Sequence, residues 1–208
     1  MNILICPTYF PNILTVASIA QADGLTLEVY GNYQKQTYRN RTLIYGANGL
    51  LTLTVPVNYT QRLRQPYSEV RISKRESWQA IHWKSLKSAY STSPYFQYYD
   101  HYFEEFFNRP FDNLINLSIA SMELLCSCLD LEISWKLTTE YQKTPAEYDL
   151  RFLADPRKDA QCLLQQYIQV FKNKHGFISN LSVLDLLFNE GPASENYLLN
   201  QDLSPLFA

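Results

Sequence analysis

Glycine, cysteine and histidine are scarce in this chain: six, four and three among 208 residues. So few glycines leave no room for the usual phosphate cradles, and neither a dinucleotide-binding fingerprint nor a Walker motif occurs. Cys6, Cys126, Cys128 and Cys162 lie in apolar patterns without framework spacing, so no disulfide scaffold is expected. Cys126 and Cys128 point in different directions on a predicted helix, and His82, His101 and His175 are far apart in sequence. No metal site is therefore expected, and no particular cofactor is indicated. No apolar run is long enough to span a membrane, and the opening Met-Asn-Ile-Leu-Ile-Cys lacks the basic segment of a signal peptide, so a cytoplasmic protein is expected. Repeats and low-complexity tracts are absent. Long disorder is not expected either, since charged residues are fewer than usual and apolar content suits a core.

What is present is tyrosine, sixteen of them, and a segregated charge. The net charge is only −2, yet residues 32–88 carry ten Lys or Arg against Glu69 and Glu76, a balance of +8, and the rest of the chain carries −10. The stretch Tyr33 to Arg41 sets Lys35, Arg39 and Arg41 among amide and phenol donors with no carboxylate. Such a run is either a solvated basic surface or the receptor for an anionic ligand.

The predicted fold class is α/β: a mixed sheet with an amino-terminal β-α-β unit and a helical flank, in one domain spanning 1–208. Residues 1–75 are mainly sheet-forming and basic from 32, 76–130 helical, and 131–208 a strand, a mobile loop and a last helix. Asn2–Cys6 and Leu25–Tyr30 read as strands around a helix from Asn12 to Ala22. Ligands of such units gather at the carboxyl ends of the strands. Arg41–Tyr45 and Leu50–Val57 alternate around Gly-Ala-Asn-Gly as a hairpin, and Glu69–Ser73 is a further strand that could pair with it.

From Glu76 the period turns helical, with Trp78, Ile81, His82, Ser85, Leu86 and Ala89 on one face. A histidine on such a face is more often a satisfied core residue than a catalyst, but this one closes the basic third. Ser93-Pro94 predicts a second helix to about Phe107, and Asp112 caps a third to Leu129. Ile133–Thr139 alternates as a strand. Lys143–Asp159, acidic and broken by proline, is the candidate mobile loop. Gln161–Val170 is ambiguous between strand and helix, and Leu181–Asn189 is a helix ended by Gly191-Pro192.

Several of these pieces, in this order and separation, carry a family likeness. They are Pro-Thr-Tyr-Phe-Pro (7–11), Gln34-Lys35 with Asn40-Arg41, Trp78 with His82, Ser-Pro-Tyr-Phe (93–96), and Asn-Leu-Ser-Val-Leu-Asp-Leu-Leu-Phe-Asn-Glu-Gly-Pro (180–192). Together the chain resembles the WbqC-like proteins. It departs from the family pattern at Cys6-Pro7, where Gln-Pro is usual, and at Gly31-Asn32, where an Asp pair is common. The resemblance implies a bacterial protein of O-antigen or other surface-polysaccharide assembly, with a role as a glycine, acyl or glycosyl transferase.

On this reading Arg39 and Arg41 clamp an anionic donor, a nucleotide sugar or an acyl donor, where a planar guanidinium makes paired bonds. Lys35 offsets charge on the leaving group and His82 is the general base. Tyr9, Gln34 and Asn40 bind and orient. The alternative is a non-catalytic module for a phosphorylated sugar or a partner enzyme of the same pathway. Nucleic acid is disfavoured by the slightly acidic overall charge and the lack of a recognition motif. The sequence assigns no homo-oligomeric state.

Overall fold

The computed structural model describes residues 1–59, 65–158 and 162–207. Its centre is a sheet of four short parallel strands. Strand β1, Asn2–Ile5, is buried over its last three residues and is followed by Cys6 and Pro7. Helix α1, Ile13–Ala20, begins where the Asn12 side chain accepts the Thr15 amide at 2.9 Å. It carries no charge and buries Ile13 through Ile19, so it has no solvent face. Strand β2, Gly24–Leu27, returns parallel to β1, which completes the expected β-α-β unit. Strand β7, Trp135–Leu137, pairs with β2, and strand β8, Tyr148–Asp149, pairs with β1, giving the order β7-β2-β1-β8. All four run the same way, so their carboxyl ends share one edge.

The antiparallel strands pair among themselves. Strands β3, Arg41–Gly46, and β4, Gly49–Thr54, form the predicted hairpin across Ala47-Asn48, with Gly49 at φ 100°, where a side chain would be strained. The segment around Glu69–Ser73 is a 3-10 turn, Tyr67–Glu69, then strand β6, Arg71–Ile72, and it joins strand β5, Val57–Asn58, and not the hairpin. The fold is thus α/β, with parallel and antiparallel strands and seven α-helices among the described residues.

The helical flank follows. Helix α2, Trp78–Tyr90, buries Trp78, His82, Leu86 and Ala89, while Ile81, placed on the same face by periodicity, lies outside. Helix α3 is Phe96–Asn108. The Ser93 hydroxyl donates to the carbonyl of Tyr90 at 2.6 Å, closing the helix before it instead of capping the one after. Helix α4, Leu114–Cys128, is capped by Asn113 and not Asp112, whose carboxylate pairs with Lys74. Its stripe Leu114, Ser118, Met122, Leu125 and Leu129 is buried as expected.

Three segments differ from the sequence expectation. The proline-broken stretch after Lys143 holds β8 and a 3-10 turn, Arg151–Ala154, because Leu150 donates its amide to the carbonyl of Leu4 and extends the sheet. Residues 162–169 form neither strand nor helix and 170 begins a turn; the segment is held partly by side chains, with Gln169 Nε2 and Tyr167 Oη both donating to Asp185. After the short helix α5, Lys172–His175, helix α6, Val183–Glu190, ends at Gly191, but Pro192 opens a further helix, α7, Ala193–Leu199. Arg62 and Arg64 of the basic run, and Gln161, lie outside the described residues. No helix among the described residues is long and apolar enough to cross a membrane.

Candidate functional site

The loop after β1 is held rigidly. Phe10 adopts φ 42°, a left-handed backbone that a bulky side chain rarely takes. Its amide donates to the Ser121 hydroxyl at 3.2 Å, and its carbonyl accepts from Thr42 and Ser182 hydroxyls at 2.8 and 3.0 Å. Its ring rests among Phe103, Phe106 and Phe107. This anchoring fixes the position of Cys6 and Tyr9 on either side of Pro7 and Thr8.

Tyr9 is fully buried and its hydroxyl lies 2.9 Å from Nδ1 of His82. The other ring nitrogen, Nε2, is 3.2 Å from the Thr54 carbonyl, which can only accept. His82 therefore carries its proton on Nε2 and receives the Tyr9 proton at Nδ1. Burial pushes its pKa down to about 4, opposed by the bond to Thr54. Both imidazole nitrogens are occupied by the fold, and neither His82 nor Tyr9 lines the cleft at the carboxyl edge of the parallel sheet.

A cleft of about 640 Å³ opens at the carboxyl edge of the parallel sheet. Its wall takes Cys6 from just after β1, Glu28, Tyr30 and Gly31 from beyond β2, Tyr141 from beyond β7, Asp149 from β8 and Arg151 just after it, together with Gln34, Arg39, Asp155 and Lys158. Glu28 is buried. One carboxylate oxygen accepts the amides of Tyr30 and Gly31 at 2.7 and 3.1 Å and the Thr138 hydroxyl at 3.3 Å, and the other meets Arg151 at 3.3 Å. Arg151 grips Asp149 with two bonds, at 2.8 and 2.6 Å, which hold the Asp149 carboxyl below its ordinary range and the guanidinium above its own. Asp155 is paired in the same manner with Arg157, at 2.8 Å twice.

Lining acids and lining cations are equal in number, three and three, but the pairs are not shared out evenly. Once each carboxylate is matched, Arg39 and Lys158 are left without an ion pair among the described residues. Arg39 is the telling one, because it is only 6% exposed. Its terminal nitrogens donate to the Thr37 hydroxyl at 3.3 Å and the Cys6 sulfur at 3.1 Å, its plane lies 5.7 Å over the Tyr67 ring, and its Nε has no partner. Burial raises the Cys6 thiol pKa, with the Arg39 charge opposing, so the thiol remains protonated.

Of the residues singled out from sequence, Arg39 and Gln34 share this cleft. Lys35 is exposed, with its ammonium 5.0 Å over the Tyr59 ring. Arg41 opens β3 half-buried, and its Nε also lacks a partner, but it does not line the cleft. Asn40 donates its side-chain amide to Val55 O at 2.9 Å, its Oδ1 is buried without a partner among the described residues, and it does not line the cleft. The basic residues thus do not converge on one hollow. Sequence reasoning missed Glu28, Tyr141, Asp149 and Arg151. Glu28 did carry a signal, as a lone carboxylate closing an apolar strand run. The other three are brought in only by the pairing of β7 and β8.

The arrangement defines a class: an α/β protein with a ligand-sized, charge-lined hollow at the carboxyl edge of its parallel strands, where open α/β sheets bind their ligands. The chain belongs to the WbqC-like protein family, whose model matches residues 6–160. The described cleft residues, Cys6 to Lys158, all fall inside that match, and helices α5 to α7 lie beyond it. The chain is also similar to uncharacterized protein Rv1507c of Mycobacterium tuberculosis, at 27% identity over 199 residues, covering 80% of this chain and 83% of that protein. No solved structure matches the chain.

Proposed function

We propose that the protein is a transferase of bacterial surface-polysaccharide assembly that takes an activated donor into the cleft by its anionic group. One observation supports this above the others: a buried guanidinium that has no carboxylate partner among the described residues and an unbonded Nε, beside a hollow open to solvent. Leaving a buried charge uncompensated costs several kcal/mol, on the order of 3–5. A phosphate or carboxylate accepting from Arg39 would remove that cost and add charge-assisted bonds. Lys158 at the rim would take up remaining charge, and Gln34 would donate to the same group. His82 serves in this reading as a positioning residue, holding Tyr9 against β4.

A second reading, a non-catalytic module for a phosphorylated sugar, draws support from a different observation. Glu28, Asp149 and Asp155 are all engaged by arginines, and His82 lies outside, so among the described residues the cleft presents no idle general base. Thermal-shift measurements with nucleotide sugars and acyl-adenylate mimics, on wild type and Arg39→Met, test both. Stabilisation that vanishes in Arg39→Met, with donor consumed once an acceptor amine or hydroxyl is supplied, supports the transferase. Stabilisation without consumption supports the module. A shift that survives in Arg39→Met refutes both.

A further inference from the structure

We infer that the cleft takes a nucleoside-bearing anion, with the base stacked on Tyr141 and the phosphate on Arg39. This rests on the anion-binding reading above and narrows its substrate class. Tyr141 lines a concave site yet is 55% exposed. One face of its ring lies 5.0 Å from the Arg151 guanidinium. That guanidinium is fixed by its two bonds to Asp149, by donation to the Gln142 carbonyl at 2.9 Å, and by Glu28. A ring backed in this way has little freedom left to lose when a flat partner settles on its exposed side.

Gly31 lies beside the ring: a Cβ there would come into ordinary contact with Tyr141 ring carbons, at 3.6 and 3.7 Å, and with Glu28 Cγ at 3.7 Å. Tyr30, 48% exposed, lines the same cleft. A hollow of about 640 Å³ is far larger than a phosphate needs and is within the range of sites for drug-sized ligands. An aromatic face and a buried guanidinium in one such hollow match a ligand with a flat π-system at one end and an anion at the other. Every base has a π-face, so the stacking selects the class and not one base.

Calorimetry on the full chain with inorganic phosphate, ribose 5-phosphate, and uridine and adenosine 5′-monophosphates tests this. At least one nucleotide should bind about tenfold more tightly than ribose 5-phosphate, the gain expected of one base–aromatic stack. Tyr141→Ala should erase that gap and leave ribose 5-phosphate affinity unchanged, and Tyr141→Phe should restore it. Equal binding of nucleotide and ribose 5-phosphate, or a gap that persists in Tyr141→Ala, overturns the stacking inference and leaves the anion site standing. If none of the phosphates binds, both fall.

Discussion

Asp185 and Arg39 are both charged residues removed from water, at 0% and 6% exposure, and the fold treats them in opposite ways. Asp185 receives the Tyr90 and Tyr167 hydroxyls at 2.9 and 2.5 Å and the Gln169 amide at 2.9 Å, three donors drawn from α2 and the 162–170 segment onto α6. Burial still raises its pKa, against those donors. Among the described residues Arg39 has neutral partners for its terminal nitrogens, none for Nε and no acid. A buried polar group whose bonds are complete belongs to the architecture. One left incomplete at the wall of a cleft is what the proposed anion would complete.

Four experiments would break or sharpen that contrast, ordered by their effect on stability. Asp185→Ala strands three buried donors and should cost about 4 kcal/mol, a drop in melting temperature of roughly 10 °C. A near-neutral result would mean the cluster is ornamental. Acid titration comes next. His82 has a folded pKa of about 4 against 6.5 unfolded, so the unfolded chain binds the extra proton between those values. Stability from this group is present above pH 6.5 and lost as pH falls toward 4, in all roughly 3 kcal/mol. Denaturant melts across that range should be flatter in His82→Gln than in wild type.

Arg39→Met removes an uncompensated charge and should leave stability within about 1 kcal/mol of wild type, or raise it, while abolishing ligand-induced stabilisation. A large loss of stability there would place Arg39 with Asp185, as architecture. Lys35→Met should be the smallest, within about 0.5 kcal/mol, because it gives up only an exposed contact with Tyr59. Ligand binding should be unchanged in it. A lost ligand response would return Lys35 to the site.

Much of the fold was legible because the signals are local. Pro7 stops β1, Asn12 caps α1, Gly49 shapes the hairpin turn and Gly191 ends α6. The misplaced caps at Ser93 and Asp112 were one or two residues off, where several polar residues compete for the same amides. The site was less legible. Lys35, Arg39 and Arg41 look alike in sequence, and only packing sends one to an aromatic surface, one to a cleft wall and one to the start of a strand. His82 was rightly placed on an inward face, yet its bonds to Tyr9 and Thr54 come from elements 73 and 28 residues away.

By itself the sequence determined the α/β class, the β-α-β opening, the inward face of α2 and the separation of charge, because these follow from period, caps and composition along short spans of chain. Tertiary structure alone decided which charges are neutralised. Glu28 meets Arg151 across 123 positions, and Cys6 meets Arg39 across 33. Whether a buried cation finds an acid depends on which strand lies beside which, and that choice is made by the whole core at once.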